Sequence, residues 1–293
     1  TLAAFVEEQY LPYVRGYKRS WYTDQQLLRN HVVPYFGQQA LSQIRPYDVN
    51  RFAQSKRAAG LAAATVNRLI ILVRYLYNVA LHWETPGLTR NPAASLRLYT
   101  ENNQVARFLS AAEAKALIDA MHRSENPDLA NIVGFLLLTG ARKSEVLAAE
   151  WRDIDTDRRL WTVPKSKSGA ARHVPLSDGA MRLLEQLPSR DHAQYLFPSP
   201  FTGRPYNSIY AAWDNARRRA GLADVRLHDL RHSFASFVIN AGHSLYEVQA
   251  LLGHHSIRVT ERYAHLRTDT LVEAANRADV VPEVSKPSTP SED

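Results

Sequence analysis

The chain of 293 residues contains no cysteine. This absence excludes disulfide bonds, thiolate nucleophiles and cysteine-based zinc sites, and it gives no sign of an oxidising compartment. The sequence also lacks a recognisable signal peptide and any apolar stretch long enough to span a bilayer. We therefore expect a protein of the cytoplasm that has no membrane partner.

The motifs of several common enzyme classes are missing as well. The sequence has no glycine-rich phosphate loop, no HExxH pair and no clustered carboxylate set, so it indicates neither nucleotide hydrolysis nor a carboxylate-bound metal. We expect no cofactor and no metal ion. The adjacent residues His254 and His255 leave one alternative open, a metal hydrolase with histidine ligands, which activity in the presence of EDTA would exclude.

Positive charge is concentrated in the first third of the chain. Residues 1–100 contain 12 Lys and Arg against 5 Asp and Glu, whereas residues 101–293 contain 24 of each. All of the formal net charge of +7 therefore belongs to the first third. A basic domain of this kind indicates a polyanionic partner, nucleic acid before membrane, although a merely basic soluble surface is the alternative.

The first third also has helical periodicity, which predicts a small helical bundle. Pro34 and Gly37 are expected to terminate the second helix, Pro46 suits a first helical turn, and Gly60 suits a left-handed exit. Four helices are predicted. The first begins at Leu2, the second runs from Trp21 to Val33, the third from near Pro46 to Gly60, and the fourth from about Ala64 to Trp83.

Basic and aromatic residues alternate at the first turn between these helices. Such a composition can hold a phosphate backbone through charge with aromatic support, and it is equally typical of a solvated turn. The residues are Arg15, Lys18 and Arg19 among Tyr13, Tyr17, Trp21 and Tyr22.

Turn-forming residues between 85 and 106 indicate a linker to a second domain. Ser110 and Glu113 form a capping box at the start of that domain, and the apolar segment Leu129–Leu138 predicts a buried helix that Gly140 ends. The predicted domains are residues 1–97, a linker of residues 98–107, residues 108–279, and a flexible tail of residues 280–293.

Three polar candidates lie in the first half of the second domain. Arg142 follows the helix-stopping glycine and can project into a cleft to bind phosphate, or it can form a surface salt bridge with Glu145. The β-type runs Leu160–Val163 and Arg172–Leu176 predict a hairpin with Lys165 and Lys167 on its loop. These lysines can reach a substrate and give up a proton, or they can be solvated turn charges.

Two motifs in the last third provide the other candidates, HDLRH at His228–His232 and LLGHHSIRVTERY at Leu251–Tyr263. His228 and Arg231 are three residues apart, which places both on one helical face, and the pair suits a phosphate oxyanion. His254 and Tyr263 are nine apart and would lie on opposite faces of one unbroken helix. We therefore expect Gly253 to end a helix and Ser256 to cap a new short one that carries Tyr263.

Taken in order, TGARKSEVL, a hairpin lysine, HDLRH, LLGH and a tyrosine nine residues after that histidine resemble the tyrosine recombinase (phage integrase) family over most of the chain. The resemblance implies a mainly α fold. Its first part is a helical bundle, the SAM-like core-binding domain, and its second part is a mostly α catalytic domain with a small antiparallel β-sheet.

The resemblance also implies a role for each matching residue. Tyr263 would attack a DNA phosphodiester to form a 3′-phosphotyrosine and release a 5′-hydroxyl. Arg142 and Arg231 would hold the two non-bridging oxygens, and Glu145 would support the arginine site. Lys167, favoured over Lys165, would protonate the leaving oxygen. His228 would assist proton transfer with Tyr263, and His254 would donate a hydrogen bond to the phosphate.

The expected function is thus site-specific recombination that integrates or excises DNA. The implied partners are double-stranded DNA recombination sites, three further copies of the chain in a homotetramer, and accessory DNA-bending proteins. Two alternatives share much of the pattern: DNA relaxation of the type IB topoisomerase kind, and DNA binding by a protein that has lost catalysis. Relaxation of any supercoiled plasmid would favour the first, and absence of cleavage at many sites would favour the second.

Overall fold

A computed structural model describes residues 1–101, 107–164 and 171–253 together with Ser256, Thr260, Glu261 and Tyr263. The chain divides into two compact units, Thr1–Val105 and Ala106–Asp293. The predicted boundaries of the linker, the catalytic domain and the tail stay predictions. Within the described ranges, no helix combines the length and apolarity needed to cross a membrane.

The first unit is a bundle of helices around one apolar core. The longest helix supplies most of that core, since Leu69, Val73, Leu76 and Tyr77 recur on one face and are all buried. The helices are α1 (Leu2–Phe5), α2 (Leu11–Tyr17), α3 (Trp21–Leu27), α4 (Val33–Phe36), α5 (Pro46–Ala58) and α6 (Ala63–His82), with a 3₁₀ turn at Leu41–Gln43.

The prediction that Pro34 ends the second helix was wrong. Helical backbone continues from α3 through a wide π-type turn, Leu28–Val32, into α4 and ends before Gly37. In the wide turn the Val33 amide donates a hydrogen bond to the carbonyl five residues back, at Leu28. The turn therefore accommodates Pro34, which has no N–H to donate. The same arrangement occurs before Pro12, where the turn Val6–Tyr10 precedes α2.

The second unit is mostly helical and contains a small sheet. Its central helix α8 is apolar on nearly every side and packs against helices on both flanks. The helices are α7 (Ala111–Met121), α8 (Leu129–Thr139), α9 (Lys143–Leu147), α10 (Asp178–Glu185), α11 (Tyr210–Arg219), α12 (Asp229–Asn240) and α13 (Leu245–Leu252), and a 3₁₀ turn covers Trp151–Asp153.

The sheet consists of β1 (Ile154–Asp155), β2 (Leu160–Val163) and β3 (Arg172–Pro175), in the antiparallel order β1-β2-β3. In the hairpin Trp161 pairs with Val174 and Val163 pairs with Arg172. The predicted hairpin is confirmed, whereas β1 was missed because two residues are too few to show alternation. This register places Arg172 at the loop end of the hairpin, opposite Val163.

The predicted fold class is confirmed: mainly α, with a helical first part and a mostly α second part that contains a small antiparallel sheet. Three predicted helix boundaries are also confirmed. Ser110 and Glu113 cap α7 reciprocally, while Gly140 and Gly253 end α8 and α13 in the left-handed conformation.

Candidate active site

Arg142 lies at the turn between α8 and α9. Gly140 reverses the backbone at φ +59°, and Arg142 then adopts an extended conformation as the residue that caps α9. Its backbone amide donates to Glu145 Oε2 at 2.9 Å and its Nη1 donates to Glu145 Oε1 at 2.8 Å. The Arg142 side chain remains 27% exposed, so the local contacts hold it in place without removing it from solvent.

Glu145 binds a second arginine from the sheet. Arg172 Nη2 donates to Glu145 Oε2 at 2.7 Å, and its Nη1 donates to the Leu251 carbonyl at 3.2 Å. Burial opposes ionisation of Glu145, but hydrogen bonds from Arg172 and from the Arg142 backbone outweigh it and hold the pKa of this carboxyl below its ordinary value. Glu145 therefore joins α9 to β3 as a carboxylate.

Arg231 joins the ends of two other helices. Its Nη1 donates to the Gly140 carbonyl at 2.6 Å, and its Nη2 donates to the Leu252 carbonyl at 2.7 Å. Both acceptors belong to helix C-termini, where carbonyls lack partners within the helix and the dipole favours a cation. Bonds to the described residues thus use two of the five N–H donors of the guanidinium, and the others can serve a ligand.

The three arginines and one carboxylate form a cluster with a net positive charge. Burial, and then the charges of Arg142 and Arg172, lower the pKa of Arg231 to about 10, while Glu145 and Tyr263 act in the opposite direction. An arginine at that pKa is still charged at neutral pH. A bound phosphodiester would add the negative charge that this cluster lacks, which is a physical reason for anion binding here.

Tyr263 lies beside this cluster and is buried. Its ring packs with residues of α12 and α13, including Ala235, Ile239 and Leu252, and only 1% of the residue is exposed. Its amide donates to the Thr260 carbonyl at 3.0 Å, which gives the chain a tight turn just before the tyrosine. Since α13 ends at Gly253, no continuous helix connects it to Tyr263.

The Tyr263 hydroxyl forms a hydrogen bond with His232 Nδ1. His232 lies on the first turns of α12 and is 6% exposed, and its ring is edge-on to that of His228, with 4.8 Å between the centroids. His228 occupies the residue just before α12 and is exposed. One histidine pair therefore extends from the buried tyrosine hydroxyl to the surface.

The structure thus brings Arg142, Arg231 and Tyr263 together with Glu145. His254 and both hairpin lysines, Lys165 and Lys167, lie outside the described residues, so their positions stay predictions. The same holds for the short helix that Ser256 was expected to cap, because most residues of that segment are outside the described ranges.

Sequence reasoning missed Arg172 and His232 as members of the site. Arg172 was predicted only as the first residue of a strand. A hairpin pattern gives no sign of its hydrogen bond to Glu145, 27 residues earlier in the chain. His232 offered a weak signal, because it follows His228 by four residues and so lies on the same helical face. A histidine in an apolar helix is more often a packed structural group, so that spacing carried little weight.

Basic and aromatic residues also meet in the first unit, near α3. The Arg15 guanidinium lies 4.6 Å from the centre of the Trp21 ring, and Lys18 Nζ lies 2.5 Å from Asp24 Oδ2. Arg19 is exposed beside them. Stacking and ion pairing hold two of these cations at the surface, an arrangement that is compatible with a phosphate-backbone contact and with a solvated turn.

We expect Gly253→Ala to destabilise the second unit. The φ of Gly253 is +62°, and an added Cβ would lie 2.7 Å from Arg172 Cδ. Left-handed backbone costs about 1–2 kcal/mol for alanine, and the clash adds roughly another 1 kcal/mol or more. Urea unfolding of Gly221→Ala is the control, since Gly221 has φ +73° but no atom within 4 Å of the added Cβ. Equal losses in the two variants would show that the Arg172 contact is unimportant.

The lowered pKa of Glu145 predicts a pH-dependent contribution to stability. A carboxyl whose folded pKa is depressed stabilises the fold above its unfolded pKa, about 4.5, and loses that effect as pH falls through the folded value. Glu145→Gln should therefore cost roughly 1–3 kcal/mol at pH 7 and progressively less below pH ~4.5. Thermal unfolding of both proteins across pH 3–7 measures this difference, with the exposed Glu185→Gln as control. A difference independent of pH would contradict the assignment.

Comparison with known proteins gives matches over both units. The family described as "Phage integrase family" matches residues 107–269, and "Phage integrase, N-terminal SAM-like domain" matches residues 7–57. The integrase of Salmonella phage P22 is 34% identical over 210 residues, which is 67% of this chain and 53% of that protein. The tyrosine recombinase XerC of Xanthomonas campestris pv. campestris is 30% identical over 240 residues, or 78% of this chain and 72% of that protein.

Solved structures share the fold at low identity. The Tn1549 transposon integrase in complex with transposon right end DNA has a TM-score of 0.76 at 18% identity, covering 95% of this chain and 99% of that one. A lambda integrase tetramer bound to a Holliday junction has a TM-score of 0.70 at 18% identity, covering 85% and 76%.

The chain belongs to the phage integrase family, the tyrosine recombinases, because the family match covers more than half of its length. The expected resemblance is confirmed. The chain spans about half the length of the first curated relatives it matches, namely 53% of the P22 integrase and 52% of a shufflon-specific DNA recombinase of Escherichia coli.

Proposed function

We propose that the protein is a site-specific tyrosine recombinase that cleaves and rejoins DNA through a 3′-phosphotyrosine and thereby integrates or excises a DNA segment. One observation supports this proposal above the others. In a chain of this family, the buried Tyr263 is near enough to Arg231 to raise its pKa, and Arg142 is near enough to lower it. A nucleophile and two phosphate-binding cations are thus in one place.

Arg142 and Arg231 bind the two non-bridging oxygens of the phosphate. Negative charge on these oxygens grows as phosphorus becomes five-coordinate, so cations held in advance stabilise the transition state more than the ground state. The carbonyls of Gly140 and Leu252 hold Arg231, and Glu145 holds Arg142. Both guanidinium groups are therefore oriented before DNA arrives, which lowers the cost of ordering them.

Tyr263 forms the covalent bond to phosphorus, and the bond from phosphorus to the 5′-oxygen breaks. Lys167, or Lys165 in its place, gives a proton to that oxygen, and His254 donates a hydrogen bond to the phosphate. His228, exposed at the start of α12, takes part in moving the tyrosine proton. The 5′-hydroxyl of a second strand then reverses these steps and rejoins DNA, so the reaction conserves the phosphodiester energy and uses no ATP, cofactor or metal ion.

The burial of Tyr263 implies a step before chemistry. Tyr263 is 1% exposed, so a phosphate reaches its hydroxyl only after the tyrosine becomes accessible. DNA binding supplies the free energy for that change, because the site gains an anion opposite three arginines. Cleavage is therefore confined to the enzyme that is bound to DNA.

The partners follow from the same proposal. The basic first unit, with Arg15 and Arg19 near its surface, contacts the backbone of double-stranded DNA recombination sites, and the second unit places the scissile phosphate. Exchange between two duplexes needs four cleavages, which four copies of the chain provide. The lambda integrase tetramer on a Holliday junction supports this stoichiometry, and accessory DNA-bending proteins assist assembly. Access to such DNA requires a location in the cytoplasm.

The proposal is tested by capturing the covalent intermediate on natural DNA. Sheared and lightly nicked DNA from the strain that carries the gene is incubated with the protein, because a nick lets the short released strand diffuse away and traps the adduct. Protein-linked fragments are recovered under denaturing conditions with EDTA present and sequenced. We expect linked 3′ ends at one or a few positions, flanked by inverted repeats.

Each other outcome contradicts the proposal in a defined way. Linked ends spread over all sequences would indicate relaxation of the type IB topoisomerase kind, which plasmid relaxation without a specific site would support. DNA binding without any linked ends would indicate a protein that has lost catalysis. Cleavage that disappears in EDTA would indicate a metal hydrolase.

A further inference from the structure

We propose that His232 accepts the proton of the Tyr263 hydroxyl when that oxygen attacks DNA, and that it returns the proton when the strand is rejoined. The inference rests on the proposed function and adds a catalytic residue to it. It differs from a role for His228 alone, because the tyrosine hydroxyl is hydrogen-bonded to His232 Nδ1.

The geometry supports a direct transfer. Tyr263 Oη and His232 Nδ1 are already in hydrogen-bond contact, and the two ring centroids are 5.7 Å apart. Both residues are almost fully buried, so bulk water does not compete for the proton. A base must lie within hydrogen-bond reach of the proton that it removes, and His232 meets this requirement in the folded chain.

His232 begins as the neutral tautomer with hydrogen on Nε2, which leaves the Nδ1 lone pair to accept the O–H of Tyr263. As the bond from Oη to phosphorus forms, the proton moves to Nδ1 and gives an imidazolium, while the bond to the 5′-oxygen breaks and that oxygen takes a proton from the lysine. Rejoining runs in reverse: the lysine takes a proton from the attacking 5′-hydroxyl and Tyr263 recovers its proton from His232.

Groups on α12 itself affect the charge that His232 can carry. Arg231 is adjacent and disfavours a second cation, whereas Asp229 is buried one turn earlier and accepts hydrogen bonds from Arg226. His228 is exposed and edge-on to His232, so it connects the buried ring to solvent. The phosphate bound by the arginines adds negative charge that offsets theirs and stabilises the imidazolium.

The helices packed on α12 add little charge near the pair. α8 contains no ionisable residue, and α13 contains only Tyr246 and Glu247, both of which are exposed. Glu247 is held by Ser244 and His243 at the start of α13. Among the described residues, Tyr263, α12 itself and the arginine cluster are therefore the main influences on the charge of His232.

The test uses His232→Asn, which keeps a polar atom near the Nδ1 position but has no basic nitrogen. Single-turnover formation of the adduct is measured on the captured DNA site from pH 5.5 to 9.5. For the wild type we expect a rate that rises with pH as His232 becomes neutral and then levels. For His232→Asn we expect a loss of roughly 100-fold at pH 7 and a rate that keeps rising with pH, because the tyrosine must then ionise by itself.

A second substrate distinguishes a defect in deprotonating the attacking tyrosine from a defect in protonating the leaving 5′-oxygen. Replacing the bridging 5′-oxygen by sulfur gives a leaving group that needs no proton. This substrate should restore cleavage by Lys167→Ala, whose defect lies in protonating the leaving oxygen, and it should leave the defect of His232→Asn unchanged. His243→Asn, at an exposed histidine just before α13, is the control and should keep the levelled pH profile.

Thermal unfolding and DNA binding of His232→Asn show whether the variant is folded, and His232→Gln repeats the measurements if it is not. Cleavage by the variant at or above the wild-type rate would mean that His232 only holds Tyr263 in its buried position. Rescue by the sulfur substrate would mean that His232 acts in protonating the leaving oxygen. Either result overturns the inference while the proposed function stands. Failure of the wild type to form any adduct overturns both.

Discussion

Tyr263→Phe is expected to abolish the covalent adduct with DNA while DNA binding stays within about threefold of the wild type. Phenylalanine preserves the ring that packs against α12 and α13 but removes the oxygen that attacks phosphorus. Loss of a covalent nucleophile typically costs on the order of 10⁴-fold or more in rate. Adduct formation on a nicked substrate, detected on a denaturing gel, and a gel-shift assay of binding measure the two properties.

The control for this variant is Tyr246→Phe on α13. Tyr246 is 76% exposed, so the same chemical change there should leave adduct formation intact. Tyr263→Phe also removes the hydrogen bond to His232, which should lower the free energy of unfolding by roughly 1 kcal/mol. An adduct that still forms in Tyr263→Phe and disappears in Tyr246→Phe would show that the nucleophile has been misassigned.

Arg231→Lys is expected to lose both stability and cleavage. Arg231 is 4% exposed and bonds to the carbonyls of Gly140 and Leu252 at once. The single nitrogen of lysine cannot serve both carbonyls and a phosphate oxygen, although it keeps the charge. We expect a loss of about 2–4 kcal/mol in the free energy of unfolding, from urea titration, and a fall of roughly 10²–10³-fold in single-turnover cleavage.

Arg142→Lys separates the contribution of an arginine to cleavage from its contribution to the stability of the fold. The Arg142 side chain is more exposed, and among the described residues its side-chain hydrogen bond goes to Glu145. Its substitution should therefore cost a similar factor in cleavage but less than about 1 kcal/mol in stability. If Arg231→Lys folds and cleaves within threefold of the wild type, Arg231 is a structural residue and the phosphate site lies elsewhere.

The parts of the fold that depend on local chemistry could be predicted from the sequence. Gly140 and Gly253 end their helices because the left-handed conformation is open to glycine, and Ser110 caps α7 through its hydroxyl. Apolar spacing was sufficient for the buried face of α6 and for the hairpin of β2 and β3. These features depend on residues within a few positions of each other, which a sequence displays directly.

Features that depend on hydrogen bonds between distant segments could not be predicted in the same way. The bond from Arg172 to Glu145 joins residues 27 apart, and that from His232 to Tyr263 joins residues 31 apart. Pro34 failed as a helix stop for a different reason: whether a proline ends a helix depends on whether the preceding turn widens, and the residue type alone does not determine this.

The family resemblance predicted which residues form the site, whereas the contacts that hold them are visible only in the structure. The motifs identified Arg142, Arg231 and Tyr263 as belonging together, and the structure then supplied what keeps them there: two helix C-termini for Arg231, one carboxylate for Arg142, and one histidine for Tyr263. The roles of Lys167 and His254 rest on the resemblance alone.

The account is tested most directly by locating the residue that becomes covalently bound to DNA. The trapped adduct is digested with protease and nuclease, and the linked peptide is sequenced by mass spectrometry, while the released strand is tested for a free 5′-hydroxyl by direct phosphorylation with a kinase. We expect a 3′-nucleotide on Tyr263 and a released end that is phosphorylated without prior phosphatase treatment. A linkage to any other residue, or to the 5′ end of the cleaved strand, would contradict the account.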